Sequence, residues 1–314
     1  MTVEEWLGAN VKRAGIRNVL RANIRSLCEA EPFQMSFLFL LFYIRSGDNL
    51  ETLFGVKNAA QAFRVVEGMH RVAGKLAEEL GPAVVLSTPV RAISQTSTTV
   101  TVRCDRGSWT ADYCVVAVPL PLSVRIAFDP PLPPERDALA QRMPMGSVIK
   151  WYAAYAKPFW REHGWNGYAN SALRPINVCY DATPAGGTPG LLVGFIDGQS
   201  ALRWTSRSME DRRKLVLERL VDFFGPEAGE VIDYEDQNWP AEEWSRGCYG
   251  ASMGPGVMTS IAQFLRRPHG RIYWAGTETS SEWMGYVDGA IRSGERAAAE
   301  ITQALAGRGV QSTG

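Results

Sequence analysis

At 314 residues the chain is long enough to bury a large core, and its length allows one to three domains. Hydrophobic residues make up 46% and charged residues 21%, both ordinary for a globular enzyme. Lys plus Arg and Asp plus Glu each number 33, so no net charge draws in nucleic acid. The basic runs Arg212-Arg213-Lys214 and Arg266-Arg267 are short enough to be solvated surface. The five cysteines are scattered and form no CxxC pair, which argues against a metal or haem site and against a disulfide scaffold, and predicts a reducing compartment.

Residues 1–47 carry helical periodicity with few breakers and predict two or three helices. Within them the apolar run Met35–Ile44 is ten residues, too short to span a bilayer, and predicts a buried helix. The opening Met1-Thr2-Val3-Glu4-Glu5 lacks the basic and apolar regions of a signal peptide, and the polar end Gly307–Gly314 holds no anchor. The expected location is the cytoplasm, with no membrane partner. Residues 48–66 read as a loop, and Gly68–Leu80 as an amphipathic helix stopped by Gly81-Pro82.

Short Val- and Thr-rich strands follow at Val84–Leu86, Val90–Gln95, Thr99–Arg103 and Tyr113–Val118. Six prolines between Pro119 and Pro134 punctuate a connection into a helix near Glu135–Arg142. Strands come next at Ser147–Tyr155 and Leu191–Ile196, with an irregular stretch between them. A helix at Met209–Phe224 and a strand at Val231–Trp239 complete this part. The mixture predicts an α/β (α+β mixed) fold of two interleaved lobes.

The last third holds the densest signal. Arg271–Ala298 runs from an apolar strand, Ile272–Ala275, through Gly276-Thr277-Glu278-Thr279 to a helix that starts at Gly285-Tyr286. A strand end, a tight turn and a helix N-terminus suit a ligand with negative charge, because the first helix amides lack internal acceptors. Gly285, Gly289 and Gly294 carry no Cβ and would allow close backbone approach. The same pattern also describes a plain strand–loop–helix corner.

Four motifs in order then carry a resemblance. They are Gly146-Ser147-Val148-Ile149-Lys150 with Lys157-Pro158-Phe159-Trp160; Gln237-Asn238-Trp239; Ser245-Arg246-Gly247-Cys248-Tyr249 with Gly254-Pro255-Gly256; and the Arg271–Ala298 segment. From about Phe33 to Ile301 the chain resembles the flavin-dependent amine oxidases of the monoamine oxidase type. The resemblance implies a substrate domain of residues 1–65 and 139–241, a partial FAD-binding domain of 66–138 and 242–306, and a polar tail at 307–314.

It also implies roles. Lys150 would be the principal polar catalytic residue, holding a water near flavin N5; without the family it reads as a lysine at a strand end. Tyr249 and Tyr286 would form an aromatic cage whose electron-rich faces orient the amine; otherwise they are packing tyrosines. Trp239 would pack beside the flavin or substrate, or serve as a core indole. Cys248 would either bond to the flavin through its thiolate or stay a buried structural thiol with FAD bound non-covalently. Gly276 and Thr277 would lie near the ribityl-phosphate side, Gly285 and Val287 at the pyrimidine edge, and the Val90 backbone at adenine. Gln61 and Phe195 would line the substrate pocket, with a loop polar group and core packing as the plain alternatives.

The expected reaction is oxidation of a primary amine to an imine and then an aldehyde, with O2 reduced to hydrogen peroxide. Polyamine or L-amino-acid oxidation is the alternative enzyme reading, and a homodimer is implied by resemblance only. One departure is large: no GxGxxG occurs in these 314 residues, whereas the family opens with a βαβ unit carrying it. The expectation is that this N-terminal unit is missing and must come from another chain or a longer reading frame. The competing reading is a truncated, non-catalytic remnant or interaction module that binds no FAD alone.

Overall fold

The computed structural model of the chain describes residues 1–55, 58–171 and 175–311, with side chains described as far as Gly307. The chain opens with α1 (Val3–Asn10), whose N-terminus is closed by a reciprocal Thr2/Glu5 capping box. Next comes α2 (Ala14–Cys28), which stops at Glu29 in the left-handed region, φ 52°. Then α3 (Phe37–Ser46), α4 (Leu50–Phe54) and α5 (His70–Leu80) follow. The run expected to be a buried helix is α3, but only part of it is buried: Phe39, Leu40 and Tyr43 are covered, while Leu38 and Leu41 are each 46% exposed. A one-turn α4, capped by the Asn49 side chain, replaces part of the loop expected at 48–66.

Strands β1 (Val90–Gln95), β2 (Val100–Cys104), β3 (Gly107–Ala111), β4 (Cys114–Val116) and β5 (Ala127–Asp129) precede α6 (Pro134–Gln141). The strand expected at Val84–Leu86 does not form; Gly81–Ala83 is a 3-10 turn and the residues after it pair with nothing named. Then come β6 (Val148–Tyr155), α7 (Phe159–Glu162), β7 (Ala169–Asn170), β8 (Ile176–Asp181), β9 (Gly190–Asp197), α8 (Gly198–Trp204), α9 (Met209–Phe224) and β10 (Asp233–Asn238). The chain closes with α10 (Val257–Ser260), β11 (Ile272–Trp274) and α11 (Val287–Gln311). The polar tail expected from residue 307 is therefore helical through Gln311, and the rest of it lies outside the described residues.

The chain divides into two compact units, residues 1–39 with 143–256 and residues 40–142 with 257–314. These units differ from the expected lobes at three places, residues 139–142 being a short stretch that lies in the second unit. Residues 40–65 join the second unit, where Trp283 N–H donates to the Ser46 carbonyl at 2.8 Å. Residues 242–256 join the first, where Ser252 N–H donates to the Pro144 carbonyl at 3.1 Å.

The first unit is built on a five-stranded antiparallel sheet in the order β10-β6-β9-β8-β7. Its pattern follows the period of two. Along β6, Ile149, Trp151, Ala153 and Tyr155 are buried, while Lys150, Tyr152 and Ala154 alternate with them and are only half-buried. The buried face packs against Val216, Leu220 and Phe224, spaced four apart on α9. Gly194 makes room for this layer: a Cβ there would overlap the Trp151 ring.

The second unit has a four-stranded sheet, β3-β2-β1-β5, and a separate parallel pair, β11-β4. Its core is smaller, centred on Ile93, Val100, Val116, Ile126, Ile272 and Trp274. Among the described residues no helix is long and apolar enough to cross a membrane.

Candidate active site

In the first unit the site begins with the β6 alternation. Lys150 stands on the face opposite the core and pairs across the sheet with Phe195 of β9 and Gln237 of β10. Its ammonium has no hydrogen-bond or ion-pair partner among the described residues; it stands over the Tyr152 ring, 5.2 Å from Nζ to centroid. A half-buried, uncommitted ammonium is free to hold a small polar group or a water.

Tyr249 meets the same face. Its ring lies edge-on to Phe195, with centroids 6.1 Å apart and planes at 88°. Tyr249 is 39% exposed. Burial, and then the Glu29 carboxyl, hold its hydroxyl well above the ordinary phenol range. Two glycines make this close assembly possible. A Cβ on Gly146 would overlap the Cys248 carbonyl oxygen and stand 2.7 Å from the Glu29 Cβ. Gly247, at φ 152°, would place a Cβ 2.6 Å from the Met145 Cβ and into the Gly146 carbonyl. Without side chains there, Gly146 N–H donates to Gly250 O at 3.0 Å and Cys248 N–H to Gly146 O at 2.9 Å. The Cys248–Tyr249 peptide is cis.

The Cys248 thiol is pushed up to about 12, by burial first and the Glu29 charge second, with the Lys150 ammonium opposing. An electropositive setting that would expose a thiolate is thus not what surrounds it. Trp239 follows β10 in a short 3-10 turn, one residue past Asn238, which pairs with Ile149. It is half-buried at the end of the sheet.

The second unit holds the other expected residues. Gly276, at φ 106°, turns the chain out of β11, and its N–H donates to Ser293 Oγ at 3.0 Å. The Thr277 hydroxyl accepts from Gly285 N–H at 2.7 Å and donates to the Tyr286 carbonyl at 3.0 Å. Gly285, at φ 85°, sits where a Cβ would come 3.0 Å from the Tyr43 hydroxyl oxygen. Tyr286 packs edge-on to Trp283 at 5.3 Å. Gly289 is tight against the Trp283 carbonyl, as expected, but Gly294 has nothing within 4 Å, so close approach does not explain it.

The fit of this unit to a flavin rests on its free donors. The amides of Gly276 and Gly285 are spent inside the loop, which leaves the first turn of α11, beginning at Val287, as the donor set. Ala290 is the first residue seen to close a bond back, to Tyr286 O at 3.1 Å. Such a turn suits the partial negative charge at a flavin pyrimidine edge. Val90 starts β1 and packs at the edge of the small core. Gln61 is exposed, its N–H donating to Gly55 O at 3.2 Å. Among the described residues no cluster could hold a metal ion.

Known proteins extend this picture. The Flavin containing amine oxidoreductase family matches residues 4–302. A probable flavin-containing monoamine oxidase A of Dictyostelium discoideum is 40% identical over 307 residues, covering 97% of this chain and 67% of the relative. Cyclohexylamine oxidase from Brevibacterium oxydans superposes with a TM-score of 0.90 at 31% identity, covering 97% of this chain and 68% of that one.

The chain belongs to the flavin-containing amine oxidoreductase family.

Membership makes it an oxidoreductase and FAD its cofactor. The mixed α/β architecture is the family's own, and the chain spans about two thirds of the length of these relatives. Bovine amine oxidase A, 36% identical, is covered over 53% of its length. One residue of this neighbourhood carries no motif and was absent from every sequence expectation: Glu29. Its position ends α2, where the left-handed conformation is usually taken by glycine or asparagine. A charged residue at such a stop was the available signal.

Proposed function

We propose that this chain carries the substrate-side and flavin-contacting residues of an FAD-dependent oxidase of primary amines. The reaction is R–CH2–NH2 + O2 + H2O → R–CHO + NH3 + H2O2. Bound FAD supplies the two-electron acceptor, which O2 regenerates. The observation that carries the reading is the uncommitted Lys150 ammonium beside Phe195 and the accessible Tyr249 ring.

Each residue then has a task. Lys150 holds a water and favours negative charge that develops next to it. The face of Tyr249 orients the amine, and Phe195 gives its carbon chain an apolar wall. The first turn of α11, from Val287, stabilises charge at the pyrimidine edge. A primary amine is favoured because monoamine oxidases and a cyclohexylamine oxidase are among the similar proteins. The high setting of the Cys248 thiol favours FAD held without a covalent bond.

The absence of GxGxxG from these residues supports a second reading, in which the chain alone does not retain FAD. An absorbance spectrum of the purified chain with excess FAD, before and after acid precipitation, separates the readings. A flavin band released by acid supports the proposal, a band in the pellet reverses the statement on Cys248, and no band favours the second reading. With flavin bound, Lys150→Met should cut turnover roughly a hundredfold. Peroxide formation checks it, and turnover within twofold of wild type would remove Lys150 from its role.

A further inference from the structure

A buried guanidinium stands at the end of the sheet face that carries Lys150. Arg25 of α2 is 4% exposed, and it reaches three separate parts of the first unit. Its Nε donates to Glu31 Oε2 at 3.0 Å, and its Nη1 donates to Asn177 Oδ1 on β8 at 2.8 Å. The same Nη1 lies 3.9 Å from Oδ1 of Asp197, the last residue of β9. We propose that Arg25 is a positioning residue for the amine-facing end of β9, holding Phe195 opposite Lys150. This rests on the oxidase reading for its effect on turnover, though not for the lock itself.

Strand register connects this lock to the site. Asp197 pairs with Val148, and two residues back Phe195 pairs with Lys150. Both pairs therefore share one face of the sheet, about 7 Å apart along the strands. Gly198 turns the chain out of β9 at φ 56°. A Cβ on it would stand 2.7 Å from Glu31 Oε1 and 2.9 Å from Arg25 Cδ, so the turn is seated directly on the ion pair. Asp197 occupies the N-cap position of α8, where an aspartate ordinarily accepts from a helix amide. Its side chain makes no such bond, and its carboxylate lies toward Arg25. Glu31 completes the seat by accepting from Gln199 N–H at 3.1 Å, and Gly198 N–H donates to Ser147 O at 2.8 Å.

The guanidinium suits this task because its planar fork meets several acceptors in fixed directions, whereas a lysine ammonium is a point charge on a flexible stem. Glu31 and Asp197 are as buried as Arg25, so water does not take its place. Without Arg25 two buried carboxylates repel each other across the exit of β9, and the strand end shifts to separate them. Phe195, two residues away, shifts with it. A buried ion pair of this kind contributes more to a unique arrangement than to net stability. Its loss should therefore be read in how well the amine is placed.

The test compares the 314-residue chain with R25M, R25K and D197N, by amide hydrogen exchange and, with FAD bound, by steady-state kinetics. R25M should speed exchange several-fold across residues 191–199 and leave β10, on the far side of the same sheet, as protected as in the wild type. Protection lost evenly through the unit, or not lost at all, overturns the lock. In the flavin-loaded protein R25M should raise KM for a primary amine about tenfold with a smaller change in kcat. R25K keeps the charge but not the fork, and D197N keeps the shape but not the charge, so both should lie between R25M and the wild type. These two decide the matter if R25M does not fold. Unchanged KM in the variants, or a fall in kcat alone, overturns the positioning role while the oxidase reading stands. If the wild type oxidises no amine, the oxidase reading fails, and hydrogen exchange alone decides the lock.

Discussion

The loop around Tyr286 is closed largely by its own groups, whereas the surroundings of Tyr249 are assembled from distant parts of the sequence. Thr277, Gly285 and Tyr286 exchange hydrogen bonds among themselves, and Gly276 is tied to Ser293. Tyr249, by contrast, packs on Phe195 from β9, and the residues around it, Cys248 and Gly250, bond to Gly146 on the approach to β6, which lies against Glu29 at the end of α2. A locally closed loop tolerates change elsewhere but depends on each internal bond. An assembled pocket depends on whether separate segments can come close enough.

The largest effect should come from blocking that approach. Gly146→Val would force the Cys248 carbonyl and the Glu29 Cβ apart, and should destabilise the chain by about 3 kcal/mol. Urea unfolding measures this, and a loss below about 1 kcal/mol would mean that the segments are not packed as described. In the self-closed loop the corresponding change is Thr277→Val, which keeps the shape and removes one hydroxyl. Two partners then lack a bond, Gly285 N–H and the Tyr286 carbonyl, and the cost should be about 2 kcal/mol. Stability unaltered by this variant would show that the loop is held from outside.

A third contrast is in pH. Below the ordinary carboxyl value Glu29 is protonated in both folded and unfolded chains. As pH rises the unfolded chain releases the proton first, because the folded value is raised. Wild-type stability should therefore fall with pH relative to E29Q, by at most about 1.4 kcal/mol per pH unit, until the folded carboxyl ionises. Parallel stability curves from acid to neutral pH would contradict this. The smallest effect should be Gly294→Ala, stabilising α11 by about 0.5–1 kcal/mol, since a Cβ there meets nothing. Thermal unfolding checks it, and a loss of stability would reveal a neighbour not among the described residues.

The same contrast explains what the sequence revealed. The Gly276–Tyr286 loop is contiguous, so its turn residues and helix start were legible, although the helix itself begins at Val287. Strand β1 and helix α9 match their expected bounds because alternation marks the first, and a Ser208/Asp211 capping box and Gly225 close the second. Strand β3 was missed because all five of its residues are exposed and leave no burial pattern to read. Strand β8 was missed because Pro175 and a Gly/Pro-rich stretch flank its buried residues. Glu29 was illegible for another reason: what buries it is supplied by residues more than a hundred positions away, such as Gly146 and Asp197.

The eight paired positions between β6 and β9 bear on how the chain finds its fold. Shifting β6 by one residue would turn Lys150 inward among Trp160, Phe224 and the other core side chains, and turn Trp151 out. An unpaired ammonium in that interior is costly enough to reject the slipped pairing during folding. The Lys150 ammonium thus polices the alignment of the sheet, and competing registers are removed by a single charge.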